Sequence, residues 1–450
     1  MVNCMPTHAL VLGGSIGGLL AARVLSDFFD QVTILDRDVF PATPENRRGV
    51  PQGRHTHGLL AGGREVLEEF FPGISQELIA AGAVHADMLA NSRWYIEHGA
   101  HVRFSSGLMG ILLSRPLLEF EIRRRVLAIP NVSSRTSAIA EGLVFDGASG
   151  RVTGVRCGGE TVAGDLIVDA TGRASHSPQW LEEVGFPKPH EDEIGIQMAY
   201  STCLFRRRPT DLDGDVAVVY GASPETGRSG AMLAQEGDRW IVTQAKHSGR
   251  NLPADVPSFI EYSRGLPTLE VYDVISKAEP LCEPFEARFP ANLRRRYESL
   301  TRFPPGYLVF GDAISSFNPV YGQGMSVACM QARALKQTFT EGRDNLAARF
   351  FQRAAKVVDS PWDIAVAADL RIPTSTGPRT KKTSVLNWYV ARLHRAAHKD
   401  PVAAVAFHRV ANLLDPPPSL MRPSLALRVL CGGFSPSRSV RTGHAVRNVN

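Results

Sequence analysis

No CxxC pair occurs anywhere in this chain. Its six cysteines (Cys4, Cys157, Cys203, Cys282, Cys329 and Cys431) are dispersed, which argues against a clustered metal site and against a disulfide framework. No uninterrupted apolar run reaches membrane-spanning length. The N-terminus lacks a basic region followed by a long apolar stretch, so no signal peptide is expected. Together these absences predict a reducing, cytoplasmic setting. A dense basic run with interleaved aromatics is also missing, and the net charge is only +5 over 450 residues. Nucleic acid is therefore not an expected partner. The tightest basic cluster, Arg294-Arg295-Arg296, reads as a solvated face.

What is present is an ordinary soluble composition, 44% hydrophobic and 21% charged, long enough for two or three domains. The informative stretch comes early. Ala9 to Leu12 are apolar and run into Gly13-Gly14-Ser15-Ile16-Gly17-Gly18, followed by LLAARVLSDFF at helical spacing and by Gln31-Val32-Thr33-Ile34-Leu35 ending at Asp36. Strand, glycine turn, helix, strand and acid make a βαβ dinucleotide unit. Gly13 permits the tight turn, and Gly18 lets helix and strand pack closely. Ser15 stands where a backbone must approach a pyrophosphate. The free N–H groups at the helix start face the phosphates, and Asp36 is placed to accept from a ribose hydroxyl.

Residues 37–58 form a long polar loop carrying Arg47, Arg48 and Arg54, placed where phosphates would lie, together with the pair His55 and His57, for which no third metal ligand is near. The spacing predicts a helix over SRPLLEFEIRRRVL with Ser114 as N-cap. Hairpin turns follow at Asp146-Gly147 and Ser149-Gly150, then a buried strand, DLIVDA, ending in Thr171-Gly172. From about 186 to 300 the pattern is that of a mainly antiparallel sheet with no further glycine turn opening a helix, so a second nucleotide domain is not expected. A last buried strand runs into Gly311-Asp312, and Pro319 and Gly322-Gln323-Gly324 lead into a helix from Met325, a second cradle of backbone N–H groups. Residues 345–414 read as largely helical, and the tail after Gly432 as loosely ordered.

Three of these segments, GGSIGG with Asp36, DLIVDATGR, and GDAISSFNPVYGQGMS, carry a resemblance. The sequence resembles the FAD-dependent monooxygenase superfamily of aromatic hydroxylases and squalene-epoxidase-like enzymes. RRGVPQGRHTHGLL and PWDIAVAADLRIP look like the bacterial flavin-dependent epoxidases of polyether biosynthesis. The resemblance implies an α/β fold. A Rossmann-type FAD-binding domain (1–75, 114–185 and 301–345) would be interleaved with an antiparallel-sheet substrate domain (76–113 and 186–300), followed by a C-terminal helical region (346–450). It implies that Gly13, Ser15, Gly17 and Gly18 carry the FAD pyrophosphate and Asp36 the ribose. Arg37, Arg48, Arg54 and Arg115 would be further cofactor contacts. Gly311 would be a cofactor contact, Asp312 would bind the ribityl or pyrophosphate side, and Pro319, Gly322, Gln323, Gly324, Met325 and Ser326 would line the isoalloxazine.

The implied reaction is hydroxylation or epoxidation of an apolar or aromatic small molecule with O2, through a flavin C4a-hydroperoxide, in an apolar pocket. No side chain is assigned a catalytic role, and no metal is expected. The alternative is an FAD-dependent reductase of the geranylgeranyl-reductase type. The halogenase motif WxWxIP is absent. Aromatic hydroxylases carry Asp-Gly where this chain has Thr171-Gly172, so NAD(P)H would supply electrons either directly or through a separate flavin reductase.

Overall fold

The computed structural model describes residues 7–247 and 252–432; the tail expected after Gly432 lies outside them. Two sheets organise the chain. The first has five parallel strands in the order Tyr307–Val309, Leu166–Asp169, His8–Leu12, Gln31–Leu35 and Val132–Arg135. Its central strand is apolar because both faces are covered, and Ala9, Leu10 and Val11 are fully buried. The Ile16–Leu25 and Gly324–Thr340 helices pack on one another and share the largest apolar core with this sheet. The expected hairpin forms between Ala140–Asp146 and Arg151–Cys157, and the Arg115–Leu127 helix is capped by Ser114, whose Oγ accepts from the Leu117 N–H at 3.2 Å.

The second sheet has eight strands, in the order Ser315–Ser316, Phe285–Arg295, Glu191–Arg206, Arg239–Lys246, Arg228–Gln235, Ala217–Tyr220, Ser92–Ile96 and Gly99–Ala100. Its pairings are antiparallel except for Ala217–Tyr220 with Ser92–Ile96. The chain crosses from one sheet to the other over a few residues. It leaves the parallel sheet at Val309 and joins the second at Ser315. The loop that follows, 318–322, is thereby held against the second sheet beside the strand ends of the first.

Helices Leu346–Asp369, Lys381–Ala397, Pro401–Ala411 and Pro423–Leu430 close the molecule, the last three forming a separate apolar cluster around Leu89 and Trp94. The architecture is thus the expected combination of parallel sheet, antiparallel sheet and C-terminal helices.

One expectation is corrected. Arg294 and Arg295 are 2% and 7% exposed, not a solvated face. The strand carries them inward, where Arg294 pairs with Glu298 and Asp359, and Arg295 pairs with Glu191 and donates to the carbonyls of Arg173 and Ala313. Long guanidinium stems are buried readily when every N–H finds an acceptor.

Candidate functional site

The three motifs, far apart in sequence, meet at the C-terminal ends of three adjacent parallel strands, where open α/β sheets form their ligand crevice. Gly13 has φ +94, and a Cβ there would lie 2.8 Å from the Ala170 carbonyl O. A Cβ on Gly18 would collide with the Gly13 carbonyl, so helix and strand approach more closely than any side chain allows. Gly172 stands beside Asp312, and Gly17 faces the Phe310 ring.

Ser15 opens the first helix without capping it. Its hydroxyl turns sideways, donating to Glu119 Oε2 at 2.6 Å and accepting from Arg115 Nη2 at 3.1 Å. The serine at the position of closest approach is thus tied to the Arg115–Leu127 helix. Asp36 is 6% exposed. It accepts from the Gly14 N–H at 2.6 Å, the Asp38 N–H at 2.7 Å and Arg47 at 3.2 Å. Arg47, expected where phosphates would lie, is instead the hub of this carboxylate network. Buried under Phe40, it also binds Glu119 at 2.7 Å, Asp38, and the Gly14 carbonyl. Burial pulls its pKa down, but the carboxylates of Glu119, Asp36 and Asp38 win, and the guanidinium is held above its usual range. Of the other loop arginines, Arg37, Arg48 and Arg54 are exposed; Arg37 donates to the Gly49 carbonyl and Arg54 stacks on Phe285.

Several groups around the strand ends are left open. Asp312 has Arg115 and Arg173 as charged neighbours, accepts no hydrogen bond among the described residues, and burial raises its pKa against their pull. Arg115 Nε and Gln323 Oε1 are buried without a partner among the described residues. The Gly324–Thr340 helix starts with no side-chain cap, which leaves its first-turn N–H groups directed at the same region. A Cβ on Gly324 would sit 3.6 Å from Asp312 Oδ1. Gly311 (φ +69) and Gly322 (φ +64) take left-handed turns. Met325 is buried, while the Ser326 hydroxyl accepts from the Leu60 N–H at 3.1 Å and so faces the Ala61–Phe70 helix. An uncapped pair of helix starts, a carboxylate and an orphaned guanidinium N–H suit an elongated ligand with an anionic middle and hydroxyl groups.

The loop that carries Pro319 is anchored from below by a residue of the C-terminal region. Asp369, fully buried, accepts from Asn318 Nδ2 at 2.9 Å, Tyr321 OH at 2.7 Å and Asn292 Nδ2 at 2.7 Å, with His247 Nε2 at 3.3 Å. Tyr200 OH donates to Asn318 Oδ1 at 2.7 Å. Burial, with the Asp369 charge adding to it, pushes both phenols well above their ordinary range. They remain O–H donors at all working pH values.

His55 lies beyond this loop, against the second sheet. Its Nδ1 is 2.8 Å from Thr202 Oγ1, which continues through Thr243 to Thr56 in contacts of 2.7 Å. Its Nε2 is buried with no partner among the described residues. Burial, with Arg54 nearby, lowers the imidazole to about 4, and burial with Arg115 lowers His57 to about 3. Both are neutral near pH 7. This wall mixes aromatic rings (Tyr200, Phe285) with a chain of hydroxyls and is less apolar than the sequence suggested, because alternate residues of Glu191–Arg206 that face it are Tyr200 and Thr202. Thr171 hydrogen-bonds Asp169, which Ser175 and Ser177 also contact. Two surface cavities of about 330 Å³, lined by Arg93, Asp211 and Glu270 and by Arg349, Gln352 and Arg353, involve none of these groups.

No family model matches the sequence. Protein Rv3254 of Mycobacterium tuberculosis (strain ATCC 25618 / H37Rv) is 36% identical over 435 residues, covering 91% of this chain and 90% of the relative. Among solved structures, a flavoprotein/dehydrogenase from Cytophaga hutchinsonii matches with a TM-score of 0.67 at 14% identity, over 95% of this chain and 99% of that one. The corresponding values for PqsL, a probable FAD-dependent monooxygenase from Pseudomonas aeruginosa, are 0.60 and 18%, over 81% and 98%. For CmlS, a flavin-dependent halogenase, they are 0.64 and 17%, over 90% and 77%. At these identities the likeness is one of fold, and it is the fold of flavoprotein monooxygenases and halogenases.

Proposed function

The chain belongs to the family of Protein Rv3254, and from that premise and the site geometry we propose that it is an FAD-dependent monooxygenase acting on a small organic molecule. The observation that carries this reading is the convergence of two uncapped helix starts, Ser15 and Gln323, around Asp312 and Arg115. The N–H groups at the first helix start and Arg115 would hold the pyrophosphate. Asp312 would accept hydroxyls of the ribityl chain, and the second helix start would direct its N–H groups at the electron-rich end of the isoalloxazine. Reduced flavin, when bound, supplies the O2 chemistry: one oxygen atom goes to the substrate and the other leaves as water.

The protein's part is positioning and exclusion of water. Asp369 fixes the 318–322 loop that would lie under the ring. Neutral His55, with Nε2 unused, would offer one donor or acceptor to a substrate held against Tyr200 and Phe285. A mixed wall of this kind suits a largely apolar molecule with a polar handle. The reading is tested by exposing the chemically reduced, FAD-loaded protein to 18O2 with a panel of phenols and alkenes. Transfer of one labelled atom to product supports it. Substrate turnover that consumes no O2 would replace it with the reductase alternative, and a flavoprotein inert towards every donor and acceptor would replace it with a binding role.

A further inference from the structure

Cys203 and Cys282, seventy-odd positions apart in sequence, stand opposite one another at one edge of the Glu191–Arg206 strand. An isolated antiparallel bridge joins Phe205 to Pro280. The Arg206 N–H donates to the Glu279 carbonyl at 2.8 Å, and the Leu281 N–H to the Leu204 carbonyl at 2.8 Å. These two bonds flank a non-hydrogen-bonded pair. Continuing the register by two residues brings Cys203 opposite Cys282 at a position of the same kind, where facing Cα atoms are about 4.5 Å apart. That separation falls within the range of about 4.4–6.8 Å that a disulfide spans. Local contacts agree. Cys203 Sγ is 3.1 Å from the Cys282 carbonyl O, and the Leu204 N–H donates to Cys282 Sγ at 3.3 Å. Both cysteines are free thiols, Cys203 buried and Cys282 exposed.

We propose that Cys203 and Cys282 are a peroxide-responsive dithiol that closes to a disulfide across this sheet edge. The roles follow from asymmetry. The neighbouring Cys203 side chain, with the Leu204 N–H and the Arg54 charge, lowers the Cys282 thiol, while the same pairing and burial push Cys203 up. The exposed sulfur, the one that peroxide can reach, is thus the more acidic of the two and the attacking group. The Cys282 thiolate attacks hydrogen peroxide; an S–O bond forms, the O–O bond breaks, and hydroxide leaves and is protonated to water. The Cys203 sulfur then attacks the resulting sulfenic acid. The S–S bond forms, the S–O bond breaks, and the departing hydroxide takes the Cys203 proton and leaves as the second water. Two electrons pass from the thiols to the peroxide.

The bridge would tie the strand to the segment that leads through Glu283 and Pro284 to Phe285, the ring that touches both Arg54 and His55. The inference does not depend on the flavin reading, and neither does its test. The full chain, reduced and desalted, is titrated with hydrogen peroxide and mapped by peptide mass spectrometry. We expect a linked Cys203–Cys282 peptide lacking the two thiol hydrogens, reversed by dithiothreitol. Cys282→Ser should give no link and leave Cys203 a thiol. Cys203→Ser, or Cys203→Ala should the serine misfold, should stop at a Cys282 sulfenic acid captured by dimedone. Wild-type protein in which Cys282 stays unreactive, or advances to sulfinic acid with Cys203 still a thiol, overturns the proposal.

Discussion

Asp369→Asn removes the centre of the network beneath the 318–322 loop while keeping its volume. In the wild type four side chains from three segments converge on this carboxylate at 2.7–3.3 Å. An asparagine retains one acceptor oxygen and turns an NH2 toward groups that are themselves donors. With its oxygen kept at the Oδ1 position, where three of the four groups meet, the amide leaves one buried donor, Asn292 Nδ2, facing its NH2, at about 1–3 kcal/mol. One effect runs the other way: a carboxylate in the last turn of Leu346–Asp369 is opposed by the helix dipole by about 0.3–1 kcal/mol, which the amide relieves. The net expectation is a destabilisation of about 1–2 kcal/mol, against the roughly 5–15 kcal/mol available to a folded domain. Because Asn318 and Tyr321 would then be held by a neutral amide oxygen in place of a carboxylate, FAD affinity should fall by up to about tenfold, equivalent to about 1.4 kcal/mol. Urea unfolding followed by tryptophan fluorescence, and FAD titration of the folded variant, read the two effects separately. An Asp369→Asn protein with the wild-type unfolding midpoint would refute the reasoning that this network holds the loop.

Gly324→Val should weaken FAD binding more than it lowers the urea midpoint, since a Cβ fits 3.6 Å from Asp312 Oδ1 but the branching methyls enter the cradle; equal losses in both would place the loop elsewhere. Direct reduction by NADPH should be slow and accelerate with an added flavin reductase, because Thr171 stands where NADPH-reduced hydroxylases carry aspartate; stopped-flow reduction by NADPH alone at turnover rate would contradict this. The buried histidines predict acid sensitivity. Burial, with histidine neighbours, lowers His101 to about 4, His408 to about 3 and His394 well below 6.5. The unfolded chain then binds more protons than the folded one between about pH 6.5 and 3, so stability is full above that window and falls as pH drops through it. The urea midpoint should decline from pH 7 to about 5, and His408→Gln should flatten the decline.

The parallel sheet and its three strand-end motifs were legible because period, glycine placement and strand-end acids are local properties of sequence. Asp36 and Asp312 were both picked out on those grounds, yet their surroundings differ: Asp36 is fully engaged by Gly14, Asp38 and Arg47, while Asp312 is open. That difference depends on Arg47 and Glu119, which are brought together by folding of the 37–58 loop onto a helix some seventy residues later. Asp369 was invisible for the same reason. It reads as one acid in an amphipathic helix until the 318–322 loop is laid on it. The facing of Cys203 and Cys282 depends on strand register, which spacing between cysteines cannot report. The arginine cluster was misread because exposure was inferred from charge alone, without the carboxylates of Glu298, Asp359 and Glu191 and the carbonyls that receive it.

The central claim is that the two glycine cradles hold FAD, and equilibrium binding to the purified full-length chain tests it most directly. Protein stripped of any bound flavin is titrated with FAD, FMN and NAD, following flavin fluorescence and the visible spectrum, with NAD followed by calorimetry. The account predicts a yellow protein that takes up FAD in one-to-one ratio and prefers it to FMN, because FMN lacks the pyrophosphate link that the 13–18 turn would hold. Binding should be impaired by Asp312→Ala in a variant that unfolds at the wild-type urea concentration. A folded, colourless protein that takes up no FAD on reconstitution would contradict the account.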